Sequence, residues 1–212
     1  DAELPYASFS RALRALIGPV VALRELPAWP AWVACELARL LPELGSTGPP
    51  IRSDEERSRF FEACARAWHS LAADSFDAVI LDDWHLADAA SRTLLGFVAG
   101  RRAESAATGA RELLLLRPAH DAASAAALQA LVGVAGARHL RLQTLPGEAV
   151  LNLVRRLSGA SHPLRFAERL AGATGGNPFF LVETLRHLIG TELLLVGADG
   201  GWQTPFDEDT FD

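Results

Sequence analysis

The chain has 212 residues, half of them hydrophobic and 22% charged, a globular composition that suits one moderate domain or one and a half small ones. Its net charge of −6, with arginine as the only fixed cation because the sequence contains no lysine, argues against a surface that wraps nucleic acid, which needs a basic stripe. No apolar run has membrane-spanning length, the first residues do not read as a secretory leader, and Cys35 and Cys64 lie far apart on apolar helical faces; the expected setting is the cytoplasm, away from any membrane, with both thiols reduced.

In chain order, Phe9, Ala12, Leu13, Leu16 and Ile17 fall at helical spacing, and Gly18-Pro19 is expected to end or kink that helix. Pro30 suits the first turn of a helix carrying Val33, Leu37, Leu40 and Leu41. Ser53-Asp54-Glu55-Glu56 reads as a capping box for a helix burying Phe60, Cys64, Ala67, Trp68 and Leu71. Ala78 to Leu81 is a continuous apolar run and reads as a strand buried on both faces. Asp88 is expected to cap the next helix, whose Leu94, Leu95 and Val98 face the sheet. Leu113 to Leu116 reads as a second buried strand ending at Arg117-Pro118. An alanine-rich helix over roughly 121–133 follows, then a short edge strand from His139 to Leu142. This alternation predicts an α/β fold, a partial parallel sheet flanked by helices, over 1–144.

From 145 to 190 only helices are expected. One carries Leu151, Val154 and Leu157, and a second carries Leu164, Ala167 and Leu170 and stops at Gly175-Gly176. A third is capped by Asn177 with Pro178 at its first position, and it turns Leu181, Leu185 and Leu188 inward. Residues 191–212 read as a hairpin across Gly197 to Gly201.

The chemistry-bearing residues gather where the first strand ends. Asp82 and Asp83 stand at the carboxyl end of a strand, the edge where open α/β folds hold ligands. Two adjacent acids repel unless a cation, a shared proton or solvent compensates, so the pair fits a metal-bound polyanion or, equally, an acidic turn before a helix. Arg117 ends the second strand and suits either an anionic ligand or an ion pair with Asp82 or Asp83. His85 and Asp88 with the two aspartates form a further candidate, a metal-dependent hydrolase cluster, for which no second His-rich segment supplies ligands. His69, His120, His139, His162 and His187 are scattered and carry no catalytic order.

Val79-Ile80-Leu81-Asp82-Asp83 followed by Asp88 resembles the Walker B segment of P-loop ATPases. More narrowly, the chain resembles the AAA-type ATPase module of the signalling (STAND) class found in large bacterial LuxR-type transcriptional regulators. Leu4-Pro5-Tyr6-Ala7-Ser8-Phe9 and Gly175-Gly176-Asn177-Pro178-Phe179-Phe180 are similar to two further segments of that module, in the same order. The resemblance implies that Asp82 holds Mg²⁺, that Asp83 orients the attacking water, and that Arg117 is the sensor of the γ-phosphate. Gly176, Asn177 and Pro178 would meet the nucleotide at a helix N-terminus. The 145–190 helices would be the lid, and the hairpin the start of a winged-helix element.

The sequence departs from that pattern in one respect. It has no Gly-x-x-x-x-Gly-Lys-Ser/Thr loop, which grips phosphates with backbone N–H groups and a lysine. The expectation is therefore a truncated module: ATP and Mg²⁺ belong to an intact parent, none is expected on this chain, and the P-loop segment and a C-terminal output domain are its missing partners. DNA would be met only through a domain outside the chain, and an uncovered sheet edge invites self-association. The rival reading is a non-enzymatic interaction module that keeps the fold without ATP.

Overall fold

The computed structural model describes residues 4–23, 26–73, 76–104, 110–117, 122–134, 136–159, 163–198 and 201–203; His120 and His162 lie outside them. The chain divides into two compact units, 1–139 and 140–212.

The first unit is a helical layer on one side of a two-stranded sheet. Helix α1 (Ala7–Leu23) buries Phe9, Leu13 and Leu16. It runs through Pro19 to Leu23 and does not end at Gly18-Pro19, because an internal proline removes only one backbone donor from a helix already held by its packed face. Helix α2 (Ala31–Leu37) starts one residue after Pro30, whose carbonyl accepts the Val33 and Ala34 N–H groups. Helix α3 (Asp54–Ala73) opens on the expected capping box. The Ser53 hydroxyl accepts the Glu56 N–H and the Glu56 carboxylate accepts the Ser53 N–H, both at 3.2 Å. Three acids in the first turn add a favourable interaction with the helix dipole. Its buried face centres on Trp68, which lies 5.3 Å from Phe9 ring to ring and donates its indole N–H to Glu112 at 2.7 Å.

Strand β1 (Ala78–Leu81), helix α4 (Ala89–Glu104) and strand β2 (Arg111–Leu114) form a parallel β-α-β unit, with Ile80 beside Leu113 and Leu81 beside Leu114. The parallel pairing agrees with the sequence reading, but burial on both faces does not. Val79 and Leu81 are buried while Ile80 is 61% exposed, because α1, α3 and α4 cover one face only. The second strand also sits two residues earlier than Leu113–Leu116 predicted. Helix α5 (Ala122–Val132) packs against α4. No strand forms at 139–142: Leu140 and Leu142 are 83% and 92% exposed, since His-Leu-Arg-Leu alternates correctly but finds no ladder partner to hold it.

The second unit packs α6 (Gly147–Ser158), α7 (Leu164–Thr174) and α8 (Pro178–Gly190) around Val150, Val154, Ala167, Leu170, Leu181 and Leu185. The buried stripe of α6 is Val150, Val154 and Ser158, with Leu157 outside; the sequence offered both stripes at helical spacing, and contact with α7 selects this one. Leu164 at the start of α7 is likewise half-exposed. Strands β3 (Leu195–Val196) and β4 (Trp202–Gln203) pair antiparallel as a short hairpin. No described helix is long and apolar enough to cross a membrane.

Candidate functional site at the carboxyl end of β1

Leu81 is the last buried residue of β1, and the next two side chains, Asp82 and Asp83, reach solvent. The chain turns there sharply. Asp83 adopts left-handed backbone, φ 49° and ψ 33°, a region that Asp and Asn enter more readily than other L-residues. The Asp82 carboxylate accepts the Asp83 N–H at 2.8 Å, and Asp83 then leads a single 3-10 turn, Trp84–Leu86. Two backbone bonds fix this turn against the continuation of β2: Leu115 N–H donates to the Leu81 carbonyl at 2.9 Å, and Trp84 N–H to the Leu115 carbonyl at 3.1 Å. The parallel ladder therefore carries Arg117 to the same end of the sheet as the two acids.

There Arg117 Nε lies 4.0 Å from Asp83 Oδ1, and His85 Nδ1 lies 3.7 Å from the same oxygen. His85 Nδ1 also stands 3.5 Å from the Arg117 N–H, which donates to it. Of the sequence-derived candidates, Asp82, Asp83 and Arg117 are brought together; His85 joins them through a contact that only the strand pairing reveals. The indole Nε1 of buried Trp84 meets no hydrogen-bond partner among the described residues.

Asp88 is near in sequence but belongs elsewhere. It is 5% exposed, caps α4 through Ser91 N–H at 2.8 Å, and accepts the Ser91 hydroxyl at 2.6 Å. It also accepts Tyr6 N–H at 2.9 Å and Ser8 N–H at 3.1 Å, at the start of α1. Burial alone would raise its pKa; the bonds from Ser91, Ser8 and Tyr6 outweigh it and hold the carboxyl at about 2, below its ordinary 3.8. With both oxygens so engaged, Asp88 has no place in a metal cluster with Asp82, Asp83 and His85, and no three metal-binding side chains converge among the described residues.

The turn at Asp83 carries a direct prediction. Asp83→Gly removes the left-handed penalty and should leave stability within about 0.5 kcal/mol of the parent chain or above it, whereas Asp83→Val should lower it by about 1–2 kcal/mol. Equal denaturant midpoints for the two variants would contradict the turn geometry.

The second cluster lies in the other unit. Gly175 (φ 57°) ends α7, its N–H donating to the Ala171 carbonyl. Gly176 (φ 70°) accepts the Leu145 N–H at 2.8 Å, and its Cα faces the Leu145 carbonyl so closely that a Cβ would collide with that oxygen. Asn177 caps α8, its side-chain oxygen accepting the Phe179 N–H at 3.0 Å, and Pro178 occupies the first helical position. Phe179 and Phe180 beside them are exposed and meet edge to face at 5.6 Å. Gly176, Asn177 and Pro178 thus each have a local backbone role. A comparison with known proteins finds no matching family, no matching curated protein and no matching solved structure.

Proposed function

We propose that the chain is part of a STAND-type signalling ATPase: the Mg²⁺-facing portion of a P-loop nucleotide-binding module, its helical lid and the first hairpin of a winged-helix element. It would sit in a larger cytoplasmic protein whose output domain controls transcription. The observation that supports this most is the end of β1, where Asp82 and Asp83 stand exposed near Arg117, three residues beyond the neighbouring parallel strand. Exposed carboxylate oxygens are the hard donors that Mg²⁺ prefers, and a bound Mg-nucleotide supplies charge neutralisation at the phosphates. On this reading Asp82 stays ionised and faces the cation, while Asp83 orients water. Arg117, whose guanidinium meets Asp83 at 4.0 Å in an exposed contact, would exchange Asp83 for a γ-phosphate. In its own unit, the α8 N-terminus at Asn177-Pro178 would offer N–H donors and a favourable dipole to an anionic group. Such a module would switch its output because nucleotide favours one of its states over another.

The 212 residues hold no Gly-Lys-Ser/Thr loop, so calorimetric titration of this chain with Mg-ATP should show no saturable binding. The gene should encode such a loop upstream of Asp1. Asp82→Ala in that longer protein should lower ATP hydrolysis at least about 100-fold without unfolding it. Unchanged turnover, or a gene without the loop, would overturn the proposal. The second reading, an interaction module that has given up ATP, is favoured by the same missing loop and by the internal pairing of Arg117 with Asp83; a longer protein that folds but binds no nucleotide would establish it.

A further inference from the structure

A groove of about 450 Å³ lies at the start of α1 and shares no lining residue with the site at the end of β1. A concavity of this size suits a small ligand. Leu4, Tyr6 and Leu40 give it an apolar lining, Arg11, Arg14 and Arg39 a cationic one, and no described acid lines it. Tyr6 has left-handed backbone, φ 62°, an outlier for so bulky a residue. It is held there because Asp88 accepts its N–H at 2.9 Å and its ring meets Phe60 edge on at 5.2 Å. Two of the guanidinium groups differ in what they already hold. Arg14 is engaged throughout: Nε donates to Glu43 at 2.9 Å, Nη1 to the Ser10 hydroxyl at 3.1 Å and Nη2 to the Leu40 carbonyl at 3.2 Å. The Arg39 side chain is only 17% exposed, yet among the described residues just its Nε has an acceptor, Glu36 at 2.7 Å. Its Nη1 and Nη2 keep their N–H donors, which a folded chain seldom leaves without an acceptor at such burial.

We propose that this groove binds a small organic carboxylate, with its anionic group on Arg39 and its apolar body against Leu4, Tyr6 and Leu40. A guanidinium fork matches a carboxylate through two parallel charge-assisted hydrogen bonds, a match that a lysine could not make. Charge selects a monoanion over a phosphate dianion, because Glu43 and Glu36 already offset Arg14 and Arg39. Arg14, fixed by its bonds to Ser10 and Leu40, adds a positive wall without having to move. The site is separate from the end of β1 and does not depend on the nucleotide reading.

Titration of the isotope-labelled 212-residue chain with sodium benzoate, followed by amide NMR shifts, tests it. Saturable shifts at groove residues are expected, with a dissociation constant of about 10 mM or below. Benzamide, the neutral analogue of the same shape, should bind at least about tenfold more weakly. Arg39→Gln should weaken benzoate at least about tenfold, with a thermal melt verifying that the variant is folded. Leu4→Asp changes a residue that is 65% exposed, so it brings a carboxylate to the groove without touching the core, and it should weaken benzoate to a similar degree. Arg186→Gln, at an exposed arginine of the second unit, should leave the affinity unchanged. Absence of saturable shifts, equal affinity for benzamide, tighter binding of inorganic phosphate than of benzoate, full affinity in folded Arg39→Gln or Leu4→Asp, or a loss in Arg186→Gln would each overturn the proposal.

Discussion

Replacing Asp88 with alanine should cost the first unit about 3–4 kcal/mol, a large share of the 5–15 kcal/mol that a domain of this kind commands. The side chain does more than an ordinary helix cap, which is worth about 1 kcal/mol. It satisfies the first turn of α4 through Ser91 and the first turn of α1 through Tyr6 and Ser8. Its removal leaves three backbone donors and a hydroxyl without their acceptor in a part-buried seam. Asp88→Asn keeps one acceptor oxygen and should cost about 1–2 kcal/mol. Urea denaturation of the three chains checks the order; an alanine variant within about 0.5 kcal/mol of the parent would show that water replaces the carboxylate at little cost.

The same carboxylate sets an acid limit. Its pKa lies at about 2 in the folded chain against an ordinary 3.8, so the folded state binds its proton more weakly than the unfolded state. The associated stabilisation, about 2 kcal/mol, is fully present above about pH 4 and is lost as pH falls toward about 2. Asp88→Asn should remove this part of the pH dependence, flattening the stability profile between those values.

Gly176→Ala should be the most damaging single methyl in the second unit, lowering its stability by about 2–4 kcal/mol. Two effects add: the left-handed backbone at φ 70° penalises any Cβ, and that Cβ would meet the Leu145 carbonyl oxygen. Relief requires the turn to move, which also breaks the bond from Leu145 N–H to the Gly176 carbonyl. Gly175→Ala is the internal control. Gly175 has a similar φ of 57° but open space at the Cβ position, so it should cost only about 1 kcal/mol. Hydrogen exchange of α7 and α8 amides would read both; equal effects would mean that close approach to Leu145 contributes nothing. A glycine placed at 176 only for a ligand would tolerate alanine with no loss of stability, so the measurement separates the two roles.

Local periodicity carried the helices well. The stripe from Phe60 to Leu71, the Ser53–Glu56 box and the Asn177-Pro178 start of α8 are all legible because helix hydrogen bonds and caps join near neighbours in sequence. The sheet was harder. Four apolar residues in a row hide which of them faces outward, and only the one-sided placement of α1, α3 and α4 exposes Ile80. His139 to Leu142 shows the reverse case, a correct alternation with nothing to pair against. In the candidate site, Asp82 and Asp83 announced themselves as adjacent acids after an apolar run. The approach of His85 to Arg117 did not, because it depends on the register between strands more than thirty residues apart. Asp88 was readable as a cap for α4, but its hold on Tyr6 and Ser8 spans eighty positions and has no local signature.

That span has a consequence for the order of assembly. Ser91 is three residues from Asp88, so its half of the cap can form with the first turn of α4 as soon as that helix nucleates. Tyr6 and Ser8 arrive only after a loop of some eighty residues has closed, a late and entropically expensive event. The N-terminal turn of α1 is thus the last piece to seat and the first to detach, and proteases acting on the native chain should nick it there while α3 and α4 stay intact.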